Sequence, residues 1–254
     1  KKWFNTNYHY IVPEIEDDTE IKLVGTNPFK YYSEAKKDGI ETKPVVVGPF
    51  TLLKLARFTG NKSVEEFVDD TIKAYSELLN ELSKLGVNWI QFDEPFLVHD
   101  ITKEDLTLFD KENIKVLLQT YFGDIRDSYE NITKLKFDAI GLDFIEGKET
   151  LNLIEKYGFP KDKILFAGLV NGKNIWRNNY EKTISTLNLL KNKGIEIVLS
   201  TSCSLLHVPF TVENETKLSK AVLKHFAFAV EKLGELADLK FLQKKLISLK
   251  IMYL

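Results

Sequence analysis

The sequence is poor in the residues that build covalent or metal frameworks. It has one cysteine, Cys203, one methionine, Met252, and four histidines in 254 residues. A single cysteine excludes an internal disulfide and is typical of a reducing compartment, so we expect a cytoplasmic location. The chain begins with Lys1 rather than methionine, and we therefore expect it to be an excerpt of a longer protein.

Long apolar runs and a strong charge of one sign are also lacking. No stretch of about 18 apolar residues occurs, so the sequence predicts no membrane span and no secretory signal. The net charge is −2, from 35 basic and 37 acidic residues. Such a balance gives no general attraction to nucleic acid or to an anionic membrane, and we expect neither as a partner.

The lone cysteine lies in "STSCSLLH", with His207 four positions later. The pair could be half a metal site, a nucleophile with its base, or ordinary packing. Zinc needs three or four ligands, and no second cysteine, C-x-x-C or H-E-x-x-H occurs. A thiol nucleophile needs a lowered pKa and a third orienting group. The residues alone therefore favour a packed cysteine.

Short apolar runs alternate with amphipathic stretches along the chain. The runs, which predict seven strands, are 6–12, 43–48, 87–95, 114–122, 138–144, 163–170 and 195–203. Strand–helix alternation of this kind predicts parallel crossovers, and seven strands are one short of a (β/α)8 barrel of TIM type. We therefore predict an incomplete α/β barrel over residues 1–212. A doubly wound sheet is the rival, but no G-x-G-x-x-G occurs.

The intervening segments predict helices. The clearest covers 63–86, where Ser63 and Glu66 form a capping-box pattern and Gly86 ends the helix. Similar patterns predict helices over 147–158 and 178–194. The region 213–254 is interpreted as one long terminal helix docked on the barrel.

Polar residues follow several of the predicted strands. Candidate cleft residues are Asp93 and Glu94 in "QFDEPF", Asp143 in "GLDF" and Asn171 in "NGKNIW". In a parallel barrel the carboxyl ends of the strands converge on one face, where ligands bind. Asp93 and Glu94 point to opposite sides of their strand, so one could enter the barrel mouth while the other braces the scaffold. A catalytic or binding carboxylate and a structural cap remain equally open here.

Several stretches together carry a specific resemblance. They are "KWFNTNYHYIVPE", "KPVVVGPFT", "GVNWIQFDEPFLV", "LQTYFGDI", "GLDFIEGK", "AGLVNGKNIWR" and "STSCSLLHVPF". In this order they resemble the N-terminal half of the cobalamin-independent methionine synthase family. The resemblance implies two facing (β/α) barrels, of which this chain is the N-terminal one. It also implies methyl transfer from 5-methyltetrahydropteroyltriglutamate to homocysteine.

The resemblance further implies that zinc belongs to the C-terminal catalytic barrel, which we expect to lie outside this chain. Thr120 and Phe122 stand where that barrel has its His-x-Cys ligands, Asp143 where it has a glutamate, and Cys203 where it has the last cysteine. We therefore expect no catalytic residue, cofactor or metal in this chain, with Cys203 at a relic ligand position and His207 structural.

Lys2 matches a family lysine that contacts the acidic end of the folate. The resemblance thus predicts folate-tail binding and cleft formation for this domain, with no activity in isolation. A purely structural or docking barrel is the alternative. A free-standing barrel enzyme that uses Asp93 or Glu94 as a base is a third reading.

Overall fold

The computed structural model describes residues 1–99, 114–243 and 250–251. The chain divides into two compact units. The first contains the described parts of Lys1–Thr120 together with Asp127–Ala139. The second contains Tyr121–Arg126 and the described residues from Ile140 onward.

The first unit is built on parallel strands. Its strands are β1 (Glu14–Ile15), β2 (Val45–Val47), β3 (Arg57–Phe58), β4 (Trp89–Asp93) and β5 (Lys115–Gln119). Its helices are α1 (Asn27–Lys37), α2 (Pro49–Leu55), α3 (Val68–Lys84) and α4 (Tyr129–Ile132). β4 pairs in parallel with β2 on one side and β5 on the other, with Val47 opposite Asp93 and Asp93 opposite Gln119. β1 and β3 form a separate parallel pair.

The second unit repeats this plan. Its strands are β6 (Ala139–Asp143), β7 (Ile164–Val170), β8 (Glu196–Thr201) and β9 (Lys250–Ile251). The first residue of β6, Ala139, belongs to the first unit. Its helices are α5 (Thr150–Tyr157), α6 (Tyr180–Asn192), α7 (Lys220–Leu223) and α8 (Ala229–Gln243). β8 pairs in parallel with β7 and β9. The strands β6 and β7 are buried along almost their whole length, as the near-continuous apolar runs predict.

Six of the seven predicted strands are present, and the predicted α/β class is confirmed. The strand predicted over 6–12 is wrong. Its residues instead fold back on the preceding ones, so that Lys2 and His9 form an isolated antiparallel bridge. The Trp3 N–H donates to the Tyr8 carbonyl at 2.8 Å, which makes this a local hairpin rather than a strand of the sheet.

The helix predicted over 63–86 is confirmed, with a short 3-10 turn at Val64–Phe67 before α3. The capping box is present: the Ser63 N–H donates to Glu66 Oε2 at 2.8 Å. Gly86 has φ +77°, a conformation that glycine adopts without a side-chain clash.

The single long helix predicted over 213–254 is wrong, because α7 and α8 are separate. Between them Phe226 bridges Trp176, and the Ala227 N–H donates to the Ile175 carbonyl at 2.8 Å. Glu231 then accepts the Phe228 N–H at 3.0 Å. An acidic side chain that satisfies a free N–H favours a new helix start at this point.

α8 packs against the rest of the second unit through buried polar contacts. Lys232 is 0% exposed, and its ammonium donates to the Trp176 carbonyl at 3.1 Å. Glu235 accepts the Asn178 N–H at 2.8 Å.

In the described part of the chain, no helix combines the length and apolar character that crossing a bilayer requires.

Candidate functional site

The hairpin that carries Lys2 opens the first unit. Thr6, which is buried, donates from its hydroxyl to the Trp3 carbonyl at 2.6 Å and accepts the Tyr8 N–H at 3.2 Å. The Tyr10 N–H donates to the Lys1 carbonyl at 2.9 Å. These bonds fix the backbone on both sides of Lys2, whose side chain is exposed.

Aromatic rings hold this hairpin. The Trp3 ring meets the Tyr10 ring edge-on, with centroids 5.8 Å apart. The Phe4 ring stacks on His99 at 5.7 Å and meets Phe96 at 6.3 Å. Phe4 has φ +49°, a strained conformation for a residue with a side chain, and such strain persists only where the surroundings enforce it.

Glu94 directly follows β4 and is 1% exposed. Its carboxylate accepts the Phe50 N–H at 3.0 Å and the Thr51 N–H at 2.7 Å, in the first turn of α2. Burial raises the pKa of Glu94 to about 7, against the lowering effect of the hydrogen bonds from Thr51 and Phe50. Glu94 therefore caps α2 and ties it to β4.

Asp93 points the other way and is half-buried. It accepts the side-chain amide of Gln91 at 2.7 Å, and the Gln91 carbonyl oxygen in turn accepts the Lys43 ammonium. Burial lowers the pKa of Lys43 to about 7, while the Asp93 charge acts in the opposite direction. The opposite orientations that strand alternation predicts for Asp93 and Glu94 are thus observed.

Asp143 ends β6 in the second unit and is 1% exposed. Its carboxylate accepts the Ile145 N–H at 2.7 Å, the Glu146 N–H at 2.9 Å and the Phe122 N–H at 3.1 Å. Burial raises the pKa of Asp143 to about 6, although these three bonds favour the charged form. Phe122 is held at φ +71° by this arrangement.

Cys203 is 5% exposed and follows β8. Burial and then the Asp143 charge raise the pKa of its thiol to about 12. Gly172 lies against it: a Cβ placed on Gly172 would come within 2.3 Å of the Cys203 carbonyl oxygen. Cys203 is therefore a protonated, packed thiol at neutral pH, as the residues alone favoured.

Asn171 and the residues around it form a polar loop after β7. The Asn171 side-chain carbonyl accepts the N–H groups of Lys173 at 2.8 Å and Asn174 at 2.9 Å, so it shapes the turn. Lys173 pairs with Glu146 at 2.8 Å and lies 5.2 Å from the Phe122 ring centroid. The Phe122 ring also meets the His207 ring edge-on at 5.5 Å.

The residues that the resemblance aligns with zinc ligands do not fit that metal here. Phe122 has no donor atom in its side chain, and Asp143 already accepts three backbone N–H groups. Across the described ranges of the chain, no group of three or more His, Cys, Asp or Glu side chains is placed to hold a metal ion. Thr120 lies in the first unit and is fully buried.

Sequence reasoning missed two groups of residues. The Lys43–Gln91 contact joins residues that are 48 positions apart, which no local pattern shows. The Lys173–Glu146 pair joins two of the loops that follow strands, and its residues are 27 positions apart.

Parallel strands followed by buried carboxylates define an α/β domain of the class in which ligands bind at the carboxyl ends of the strands. Residues 1–194 match the family described as the cobalamin-independent synthase, N-terminal domain, and the chain belongs to that family. The predicted family is therefore confirmed.

Three curated relatives are named 5-methyltetrahydropteroyltriglutamate–homocysteine methyltransferase. The protein of Lactococcus lactis subsp. lactis is 56% identical over 248 residues, which cover 94% of this chain and 32% of the relative. That of Campylobacter jejuni subsp. jejuni is 54% identical, covering 94% and 33%. That of Streptococcus thermophilus is 55% identical, covering 94% and 33%. The chain thus spans about a third of the length of these relatives.

Two solved structures share the fold. A B12-independent methionine synthase from Shewanella sp. W3-18-1 gives a TM-score of 0.61 at 19% identity, covering 88% of this chain and 68% of that one. A putative vitamin-B12 independent methionine synthase from Listeria monocytogenes gives 0.64 at 15% identity, covering 92% and 73%. At such identities the likeness concerns the fold alone.

Proposed function

We propose that this chain is the N-terminal, folate-tail-binding and cleft-forming domain of an enzyme that methylates homocysteine. The donor is 5-methyltetrahydropteroyltriglutamate, and the products include methionine. The observation that carries the proposal is the 56% identity over 248 residues to a relative whose name states this reaction. Such identity over 94% of the chain supports a shared role for this portion of the protein.

The contacts support different roles for the four candidate cleft residues. Glu94 and Asp143 bind backbone N–H groups and brace the loops that follow their strands. Asn171 shapes its own turn. Asp93 is half-buried and on the opposite side of β4 from Glu94, so it is the carboxylate we assign to the cleft.

The proposal places the zinc and the homocysteine site in a C-terminal barrel, which would be the principal partner of this domain. The donor set around Cys203 supports a metal-free role for the chain. We further propose that residues 1–212 form the barrel portion and that 213–254 dock on it, which the contacts of Lys232 and Glu235 support. The single cysteine agrees with a cytoplasmic location.

Calorimetric titration of the chain with 5-methyltetrahydropteroyltriglutamate tests the ligand role. Lys2→Ala should weaken binding by at most about 1 kcal/mol, about fivefold in Kd, because an exposed ion pair contributes no more than this. The effect should shrink as salt is added. Lys73→Ala, which removes an exposed lysine from α3, is the matched control and should change nothing.

A purely structural barrel is the second candidate, and the buried, hydrogen-bonded state of Glu94 and Asp143 favours it. No binding at millimolar ligand would support it against the ligand role, whereas binding of equal affinity in wild type, Lys2→Ala and Lys73→Ala would refute the role of Lys2 alone. In either case the chain mixed with homocysteine, the folate and zinc should form no methionine. Zinc-dependent turnover would refute both.

A further inference from the structure

His9 lies directly opposite Lys2 in the antiparallel bridge of the N-terminal hairpin. Residues directly opposite each other in such a pair have Cβ atoms about 5 Å apart and point to the same face. Both side chains are exposed. The hairpin therefore presents an ammonium and an imidazole side by side.

Of the four residues that adjoin Lys2 and His9 along the chain, Lys1 and Tyr8 are exposed and the other two turn inward. Trp3 and Tyr10, which flank the pair, are half-buried and meet edge-on. Phe4 is fixed between Phe96 and His99. These inward contacts leave the side of the hairpin with Lys2 and His9 turned to solvent.

The backbone that carries the pair is held before any ligand arrives. The bonds from Trp3 to Tyr8 and from Tyr10 to Lys1 close the hairpin on both sides of the bridge. The buried Thr6 hydroxyl braces the turn. A ligand that contacts both side chains orders little more than the two side chains themselves, which keeps the entropic cost of binding low.

We propose that His9 is a second contact for the acidic tail of the folate and determines the preference for a polyglutamate over a monoglutamate. This inference rests on the proposed function, in which Lys2 contacts that tail. An imidazole donates a hydrogen bond from a ring N–H to a carboxylate, as an ammonium does. Each added γ-glutamyl unit brings a further carboxylate, so a long tail engages Lys2 and His9 together while a short tail engages one.

The test is a calorimetric titration of the 254-residue chain with 5-methyltetrahydropteroyltriglutamate and with its monoglutamate form. The quantity measured is the ratio of the two dissociation constants. His9→Ala should lower the preference for the triglutamate about two- to fivefold, the range of one exposed polar contact to an anion. His9→Lys should keep the preference, because it keeps a donor on that face. Asn7→Ala, an exposed change in the same hairpin, is the control and should leave the ratio unaltered.

The outcomes separate this inference from the function on which it rests. If Lys2→Ala weakens binding and His9→Ala behaves like Asn7→Ala, the role of His9 is refuted while the proposed function stands. If the wild type binds both ligands equally and Lys2→Ala changes nothing, both are refuted. A lowered ratio in His9→Ala with recovery in His9→Lys supports the inference.

Discussion

The buried carboxylate of Glu94 should make the stability of the first unit depend on pH. Burial raises its pKa from the ordinary 4.5 to about 7. Between these two values the folded chain keeps a proton that the unfolded chain has lost. The free energy of unfolding therefore falls as the pH rises through this window and levels off above it. Since a tenfold change in proton affinity is worth about 1.4 kcal/mol, the loss amounts to about 3 kcal/mol.

Glu94→Gln isolates this effect, because glutamine has the same shape and does not titrate. At pH 5 the variant should be less stable than wild type by about 1–3 kcal/mol. Both carboxylate oxygens accept N–H groups, and the amide NH2 would face one of those donors. Between pH 5 and pH 8 the difference should shift in favour of the variant by up to about 3 kcal/mol.

Urea unfolding at the two pH values measures the difference. In a Trp176→Phe background the fluorescence comes from Trp3 and Trp89, which both lie in the first unit. Glu77→Gln, which changes an exposed carboxylate on α3, is the control and should show no such shift. If the difference between Glu94→Gln and wild type is the same at pH 5 and pH 8, Glu94 does not titrate as a buried carboxylate and the argument fails.

Two further predictions follow from packing. Cys203 is 5% exposed, and the pKa of its thiol is raised to about 12. At pH 8 it should therefore react with a thiol reagent at least about a hundredfold more slowly in the native chain than in the unfolded chain. Comparable rates in the two states would contradict the buried position of Cys203. Gly48→Ala should destabilise the chain by about 1–3 kcal/mol in urea unfolding, because the new Cβ would lie 2.0 Å from Glu94 Oε1. Gly158→Ala is the control, because Gly158 has φ +76° and nothing lies within 4 Å of an added Cβ. It should lower the free energy of unfolding by only about 1 kcal/mol. An equal loss in the two variants would argue against the clash with Glu94.

Secondary structure was predictable where a local pattern decides it. The apolar runs of β4 to β8 and the capping box of Ser63 are such patterns. The apolar run at 6–12 predicted a strand of the sheet, but its residues fold into a hairpin with the preceding ones. A short apolar run does not show which segment it pairs with. No glycine or proline marks the break between α7 and α8, which depends on the tertiary contact of Ala227 with Ile175.

The candidate site was predictable in its residue types and not in its partners. Strand alternation alone assigns Asp93 and Glu94 to opposite sides. The groups that Glu94 binds, Phe50 and Thr51, lie 44 and 43 positions earlier in the chain, and only the fold brings them close. The pairing of Lys2 with His9 was not predictable either. It depends on the observed hairpin, whereas the sequence pattern predicted a strand over 6–12.

The bonds of Asp143 bear on why this domain is proposed to be free of metal. An ionised carboxylate offers about four lone-pair sites. Three are taken by the N–H groups of Phe122, Ile145 and Glu146. To coordinate a metal through both carboxylate oxygens, Asp143 would have to release at least one buried N–H, at a cost of about 1–3 kcal/mol. While its carboxylate braces these loops, Asp143 has little capacity left for a metal, which supports the proposal of a metal-free domain.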